Sequence, residues 1–378
     1  MQLEFTDEQD ELRDGVRQML ARECPMSLVR AVVEKGATPD ADALWKQMVE
    51  LGWPALTVPE EYGGLGLGMV ELAVVVEELG RVMAPVPYLA TAGQFAPAVR
   101  ELGGDDQRAR FLGAVADGTL TGTLAIAEVG GSYDPAHMRA EAAADGDGYV
   151  LTGTKQAVVD GATVDEIVVV ARVAGSDGAA GVGAFVVPRP DVSVTPVDAL
   201  DATRGLATIE LGGVRVGPER VLGSPGPGVA AGLVRALEEA TVALAVEMVG
   251  TCQTIFDVTL EYAKQREQFG VPIGSFQAIK HKFADMLVAL ERARATAYFA
   301  ALTIAEDDER RALGAASAKV AAGDCQRLLA KEGIQIHGGI GYTWEHDMHL
   351  YVRRVKSGAQ LFGTARDHKA RIADLVGL

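Results

Sequence analysis

The 378-residue sequence is poor in cysteine, aromatic residues and positive charge, and it contains no long apolar run. Its three cysteines, Cys24, Cys252 and Cys325, lie far apart and form no CxxC pair. We therefore expect free thiols in a reducing cytoplasm, with Cys252 in the core, and not a disulfide framework. No apolar stretch has the length of a membrane helix. The acidic, amphipathic start MQLEFTDEQDELRDG does not resemble a signal peptide, so a cytoplasmic location is predicted.

Acidic residues outnumber basic ones, since the chain has 52 aspartates and glutamates but only 35 lysines and arginines, for a formal net charge of −17. Such a chain is expected to be soluble and to lack a broad nucleic-acid-binding surface. An anionic ligand would need a local basic site on an acidic body.

His346 and His349 are close in sequence, but no third ligand accompanies them at a convincing spacing, so no metal site is predicted.

The pattern of apolar residues divides the chain into three blocks. Residues 1–120 have mostly helical periodicity, and Thr6 with Gln9 forms a capping-box signal at the first helix. Residues 121–222 contain short apolar runs separated by turns, which indicate a small antiparallel barrel or sandwich; the runs are 149–151, 167–170, 184–187 and 209–211. Residues 223–378 begin with a Gly/Pro-rich boundary and continue as long helices over 229–265, 276–304 and 308–332.

Three motifs stand in order along these blocks: TVPEEYGGLGLG (57–68), REQFGVPIGSFQAIKHKFADM (266–286) and QIHGGIGYTWEH (335–346). Together they resemble the acyl-CoA dehydrogenase family, and the resemblance covers essentially the whole chain. It implies an α+β fold with an N-terminal helical domain, a central small β-barrel or sandwich and a C-terminal four-helix bundle. It also implies FAD as cofactor and α,β-dehydrogenation of an acyl-CoA thioester as the reaction.

Most of the expected FAD contacts lie in the second and third motifs. The resemblance places them on the phosphate side of a neighbouring subunit's flavin, at Arg266, Phe269, Gln277, Gln335, Gly338, Gly339 and, further along, Thr364. A forked guanidinium suits two adjacent phosphates, and glycine lets backbone amides approach an anion. Taken alone, however, Arg266 could also be a helix-terminal arginine with Gly270 ending the helix, and Gly338-Gly339 a helix end with a turn.

The catalytic base expected from the resemblance is missing. In the family, a glutamate within a Tyr-Glu-Gly-Thr stretch removes the α-proton of the substrate. Here the same distance from Gly339, 23 residues, leads to Phe362. Other branches carry the base on the long helix, where this chain has Ala240. No catalytic residue is therefore assigned to this chain.

Several nearby carboxylates are considered as substitutes for the missing base. Glu238, Glu239 and Glu247 lie on the long helix and are predicted to be solvated surface charges. Glu247 is kept as the alternative base, and Glu345 as a weaker one.

The expected flavin-ring pocket is also altered. The resemblance places a hydroxyl at Ala127, a stacking aromatic at Ala157 and a threonine at Val159. None of these three side chains stacks well on a flavin ring or hydrogen bonds to it. We therefore expect the ring not to be held at this place.

These departures make the chain similar to the base-less subunit of actinobacterial heteromeric (α2β2) acyl-CoA dehydrogenases. Such subunits pair with a second subunit that carries the glutamate, and by analogy they act in lipid or steroid catabolism. The chain alone is then expected to be inactive, without nucleic-acid or membrane partners. The alternatives are a homotetrameric dehydrogenase with an unrecognised base, a flavin monooxygenase-like member and a flavin-free scaffold.

Overall fold

The computed structural model describes residues 4–36 and 38–378. The chain forms two compact units. Of the described residues, the first contains 4–36, 69–84 and 241–378, and the second contains 38–68 and 85–240. The domain boundaries predicted at 120 and 222 remain a prediction.

Helices account for most of the described chain. In order they are α1 (Asp7–Glu23), α2 (Met26–Lys35), α3 (Pro39–Glu50), α4 (Met69–Val82), α5 (Tyr88–Ala90), α6 (Ala96–Leu102), α7 (Asp105–Ala116), α8 (Pro227–Gln265), α9 (Gln277–Ala305), α10 (Arg311–His337), α11 (Met348–Gly358) and α12 (Ala365–Leu375). The predicted capping box at α1 is present, since the Gln9 amide donates to Thr6 Oγ1 at 3.3 Å and the Thr6 amide donates to Gln9 Oε1 at 3.1 Å. Across the described ranges, no helix is both long and apolar enough to span a bilayer.

The middle of the chain forms an eight-stranded sheet among the described residues. Its strands are β1 (Gly122–Ala125), β2 (Glu141–Asp145), β3 (Gly148–Val158), β4 (Glu166–Val173), β5 (Val182–Pro188), β6 (Ser193–Pro196), β7 (Ala207–Val216) and β8 (Val221–Leu222). The order is β6-β7-β3-β2-β4-β5-β8, and β1 pairs with β4.

The pairing is mixed and not purely antiparallel as predicted, because β1 and β2 both run parallel to β4. The centre of β4 explains how this is possible. Ile167, Val168, Val169 and Val170 are fully buried, so this strand has the near-continuous apolar sequence that suits parallel neighbours. The predicted strand segments fall within β3, β4, β5 and β7.

In the first unit, α4 and α8 cross very closely, and two glycines permit this approach. A Cβ on Gly80 would lie 2.2 Å from the carbonyl oxygen of Glu247, and one on Gly250 would lie 2.0 Å from that of Glu77. Thr251 Oγ1 also donates to the Gly80 carbonyl at 2.8 Å. The backbones of the two helices are therefore in direct contact.

The sheet and helices agree with the fold predicted from the sequence: an N-terminal helical part, a middle β part and a C-terminal helical part. The cysteines are free thiols, and all three are buried.

Candidate functional site

The REQFG motif forms a short hairpin directly after α8. Helix α8 ends at Gln265, and the strands β9 (Glu267–Gln268) and β10 (Val271–Pro272) pair antiparallel. Phe269 and Gly270 have φ values of 56° and 80°, as a two-residue turn with two left-handed positions requires. Gly270 is thus a hairpin residue and does not end the helix.

The side chains of this hairpin point into solvent. Phe269 is 93% exposed, although a bulky residue at positive φ is conformationally unfavourable. Arg266 is exposed, and among residues 4–36 and 38–378 no hydrogen bond or ion pair involves its guanidinium. Both side chains are therefore available to a group outside the chain.

The QIHGG motif forms the last turn of α10 and its end. Gln335 is exposed on that turn, and Gly338 caps the helix with φ 64°. A Cβ placed on Gly338 or Gly339 would meet nothing within 4 Å. The backbone beside these glycines is therefore open on the surface, as close approach of an anion requires.

Tyr262 and His337 connect the hairpin to the glycine turn. Their rings stack at 4.4 Å, and Tyr262 Oη donates to the His337 carbonyl at 3.4 Å. The Arg266 amide donates to the Tyr262 carbonyl at 2.8 Å, so Arg266 lies one helical turn beyond this contact. Burial lowers the pKa of His337, and the neutral ring donates from Nδ1 to the Gly333 carbonyl at 2.7 Å. The structure therefore brings together two motifs that are far apart in sequence.

Gln277 and Thr364 both begin helices. Gln277 is the first residue of α9, is exposed, and follows an N-cap, Phe276, that makes no side-chain cap. The amino end of a long helix favours negative charge. Thr364 is the N-cap of α12 in a capping box with Asp367, whose carboxylate it contacts at 2.7 Å. Sequence reasoning missed this capping role, although Thr-x-x-Asp is its local signal.

Phe362 occupies the expected base position within a tight turn between α11 and α12. Its φ of 55° lies in the left-handed region, and Gly363 follows at 92°. The phenylalanine is only 5% exposed. A bulky residue adopts such a conformation only where its surroundings impose it.

Two buried side chains impose this conformation on the turn. Lys319 Nζ donates to the carbonyls of Gly358 and Leu361, each at 2.6 Å. His368 Nε2 donates to the Phe362 carbonyl at 2.8 Å. Burial lowers the pKa of His368 to about 4, which keeps the ring neutral. Sequence reasoning missed both residues, although a lysine within the apolar run AASAKVAAG was a detectable signal.

The prediction that the long-helix glutamates are solvated is wrong. Glu238, Glu239 and Glu247 are 4%, 6% and 3% exposed. In the second unit Glu239 forms an ion pair with Arg100. In the first unit Glu247 accepts a hydrogen bond from Arg354 Nη2 at 2.5 Å. Glu239 and Glu247 can be buried because each has a buried or partly buried arginine partner, which is the usual condition for burying a charge.

The other positions considered for a base offer no better candidate. Ala240 is fully buried and carries no titratable group. Glu345 is exposed to solvent on the loop before α11. Its pKa is lowered mainly by a hydrogen bond from the backbone. A depressed pKa makes a carboxylate a weaker proton acceptor.

The ring-side residues lie in the second unit, at the end of β3. The Gln156 amide donates to the Ala127 carbonyl at 2.8 Å. The buried Lys155 Nζ donates to the Ile126 carbonyl at 3.2 Å and to Glu128 Oε1 at 2.6 Å. Burial lowers the pKa of Lys155 to about 8, against the opposing effect of Glu128. The segment after β1 that contains Glu128 is thus joined to strand β3 by the ion pair between Glu128 and Lys155.

Ala157 and Val159 are the two positions at which a ring-stacking aromatic and a threonine were expected. Ala157 lies in a β-bulge between Lys155 and Val158 and has φ 52°. Val159 is 4% exposed, and its carbonyl accepts a hydrogen bond from Thr123 Oγ1 at 2.7 Å. Neither side chain offers an aromatic face or a hydroxyl. The prediction that the flavin ring is not held at this place stays a prediction.

A fold of this kind, with helical parts on either side of a β part along the chain, is that of a family of flavin-dependent oxidoreductases. Residues 6–119, 123–216 and 230–376 match the N-terminal, middle and C-terminal domains of acyl-CoA dehydrogenase. The chain belongs to the acyl-CoA dehydrogenase family, whose cofactor is FAD. No group of three or more potential metal ligands occurs in the part of the chain that the structure describes.

Individual relatives match over nearly the whole chain. Acyl-CoA dehydrogenase IpdE2 of Mycobacterium tuberculosis is 33% identical over 97% of this chain and 96% of the relative. The ChsE4–ChsE5 complex of the same species contains a chain with 27% identity and a TM-score of 0.88, covering 100% of this chain and 99% of the other. A steroid acyl-CoA dehydrogenase, the Tcur3481–Tcur3483 G363A variant, gives 31% identity and a TM-score of 0.86, with 98% of each chain covered.

Proposed function

We propose that this chain is the base-less subunit of a heteromeric acyl-CoA dehydrogenase and that it completes an FAD site of its partner. The observation that carries this proposal is Phe362, which is buried at the base position in a turn fixed by Lys319 and His368. The turn holds phenylalanine in an unfavourable conformation, which marks a position whose backbone is fixed by its surroundings.

The phosphate-side residues supply the second part of the proposal. When bound, FAD accepts the hydride that leaves the β-carbon of an acyl-CoA thioester. Arg266 would hold its pyrophosphate through a forked pair of donors, and the backbone at Gly338 and Gly339 would approach the same anion. Gln335, Gln277, Phe269 and Thr364 would contact the rest of the cofactor. Because the guanidinium of Arg266 is exposed, these residues are suited to a flavin whose ring is held by another chain.

The substrate and partner are proposed from the solved relatives. One neighbour is described as a ChsE4–ChsE5 complex and another as a steroid acyl-CoA dehydrogenase with two named components. By this analogy the partner is a second family member that bears the glutamate, and the assembly is an α2β2 heterotetramer in the cytoplasm. The acyl group would be steroidal or similarly bulky.

The main alternative is a homotetrameric dehydrogenase that uses Glu247 as base. Its carboxylate is 3% exposed and already accepts a hydrogen bond from the buried guanidinium of Arg354. A general base must instead be within hydrogen-bond reach of the proton that it removes from the substrate. The ion pair therefore argues against this role.

The proposal is tested by purifying the chain alone and together with a glutamate-bearing family member. Native mass spectrometry should give an α2β2 complex with about one FAD per two chains. The isolated chain should not oxidise short, long or steroidal acyl-CoA with an artificial electron acceptor, and F362E should stay inactive because the ring is still unsupported. A homotetramer with four FAD, or flavin reduction by the isolated F362E protein, would contradict the proposal.

A further inference from the structure

Three aromatic rings, those of Tyr262, His337 and His346, contact one another in the first unit where the REQFG and QIHGG motifs meet. The Tyr262 and His337 rings stack with centroids 4.4 Å apart and planes 22° apart. The His346 ring meets that of His337 at 4.8 Å and 64°, and His346 Nδ1 accepts a hydrogen bond from the Met348 amide at 3.1 Å. We call these three rings the motif stack. The function proposed above assigns no role to them.

His337 is the central ring of the motif stack, and it is enclosed. The residue is only 4% exposed, and a Cβ on Gly341 would lie 3.0 Å from its own Cβ. Its Nδ1 donates to the Gly333 carbonyl at 2.7 Å, which places the proton of the neutral ring on that nitrogen. Nε2 is buried and has no hydrogen-bond partner in the described ranges. A phosphate outside the chain therefore cannot contact this ring directly.

The motif stack joins the two backbone segments that carry the phosphate-side residues. On the hairpin side, the Arg266 amide donates to the Tyr262 carbonyl at 2.8 Å, and the Ile273 amide donates to the Arg266 carbonyl at 2.8 Å. On the other side, His337 is the last residue of α10, and its carbonyl accepts a hydrogen bond from Tyr262 Oη at 3.4 Å. Gly338 follows directly. A displacement of the central ring is thus felt by both segments.

We propose that the motif stack is a positioning device for the pyrophosphate of FAD. It holds the hairpin with its arginine and the glycine turn at the separation that one diphosphate requires. Donors that are already in place bind more tightly, because less ordering remains to be done on binding. This inference rests on the function proposed above, since it takes both motifs to contact the same cofactor.

The central histidine gives the motif stack a dependence on pH. Tyr262 from α8 and His346 from the connection to α11 are the titratable groups that face its ring, and no carboxylate of the described chain acts on its pKa. Burial lowers the pKa of His337, and the second N–H that protonation adds would find no acceptor. The contribution of the neutral ring is therefore complete above the ordinary value of 6.5 and is lost as the pH falls through the lowered pKa.

The sign of this dependence separates positioning from direct attraction. If the motif stack positions the two segments, FAD affinity falls when His337 takes up a proton. A ring that acted on the phosphates by its charge would have the opposite effect, because an imidazolium attracts an anion.

The test measures the FAD affinity of the co-expressed complex at about pH 8 and about pH 5.5, on either side of the ordinary histidine value. H337L removes the ring and should weaken binding about two- to tenfold at the higher pH, as expected for the loss of an aromatic pair. H337F keeps a stacking ring and should bind like the wild type there, without the decrease at low pH. The matched control is F256L, at a buried α8 aromatic that pairs with Phe283 outside both motifs, and it should leave FAD affinity unchanged.

Hydrogen exchange of the full chain without cofactor tests the coupling by itself. H337L should speed exchange at the Arg266 and Ile273 amides of the hairpin as well as in the turn after α10, whereas H337F should not. Faster exchange confined to the turn, or a wild-type FAD affinity that rises at low pH, would overturn the inference.

Two further outcomes are distinguishable from these. If H337L fails to fold, the comparison of wild type with H337F at the two pH values still decides, because equal pH dependence in both would refute the role of His337. A wild-type complex without FAD at either pH would contradict the function proposed above. The exchange data would then still decide whether the motif stack couples the two segments.

Discussion

Replacing Lys319 by methionine should destabilise the turn that carries Phe362. Lys319 is 1% exposed, and its ammonium group donates to the carbonyls of Gly358 and Leu361. Methionine fills a similar volume but leaves two buried acceptors without this donor, at about 1–3 kcal/mol each. Removing a buried charge offsets part of that loss. We expect a net decrease of about 2 kcal/mol or more in the free energy of unfolding.

The assay is urea unfolding of the K319M variant, followed by circular dichroism and tryptophan fluorescence to check that the two transitions coincide. The matched control is K331M on the same helix, because the Lys331 side chain is 75% exposed and pairs with Glu332 at 3.3 Å. An exposed ion pair contributes about 0–1 kcal/mol. If K319M is no less stable than K331M, the reasoning about the turn is wrong.

Three further predictions concern FAD retention, pH and helix packing. In the co-expressed complex, R266A should weaken FAD binding about tenfold or more, since hydrogen bonds to charged groups contribute about 1.5–3 kcal/mol. R266K should restore FAD binding only partly. Unchanged FAD affinity in R266A would mean that Arg266 is only a helix-terminal residue. The pKa of His368 is depressed to about 4, so its contribution to stability should be complete above the ordinary value of 6.5 and lost as the pH falls towards 4. The free energy of unfolding of H368Q should depend less on pH over that range than that of H281Q, a control at an exposed histidine. Identical pH profiles of the two variants would contradict this prediction. G80A should lower the free energy of unfolding by about 3 kcal/mol or prevent folding, because its Cβ would lie 2.2 Å from a carbonyl oxygen. The control is G15A, where a Cβ meets nothing within 4 Å. In the same assay G15A should stabilise α1 by about 0.5–1 kcal/mol.

Local patterns predicted the helices and strands because periodicity and capping are properties of neighbouring residues. Helix α8 was expected over 229–265 and extends from Pro227 to Gln265. The parallel pairing of β1 and β2 with β4 could not be read in this way, since it depends on register between distant segments.

The buried glutamates show the same limit within the candidate site. Glu239 and its partner Arg100 are separated by 139 residues, and Glu247 and Arg354 by 107. A glutamate on a helix is normally solvated, and only the tertiary partner makes burial possible. The absence of a carboxylate at Phe362 was visible in the sequence, but the contacts of Lys319 and His368 that fix the turn were not.

The first unit is built from separate stretches of the sequence, which has a consequence for how the chain folds during its synthesis. Its described residues come from 4–36, 69–84 and 241–378, whereas the second unit is complete by residue 240. On the ribosome the second unit can fold early, because domains fold as their sequence becomes available. The apolar faces of α1, α2 and α4 can pack against the rest of the first unit only after the C-terminal third of the chain has been synthesised. A nascent chain stopped near residue 240 should therefore expose these helices to chaperones. A truncation there should yield one folded unit in which α1, α2 and α4 are unprotected and protease-sensitive.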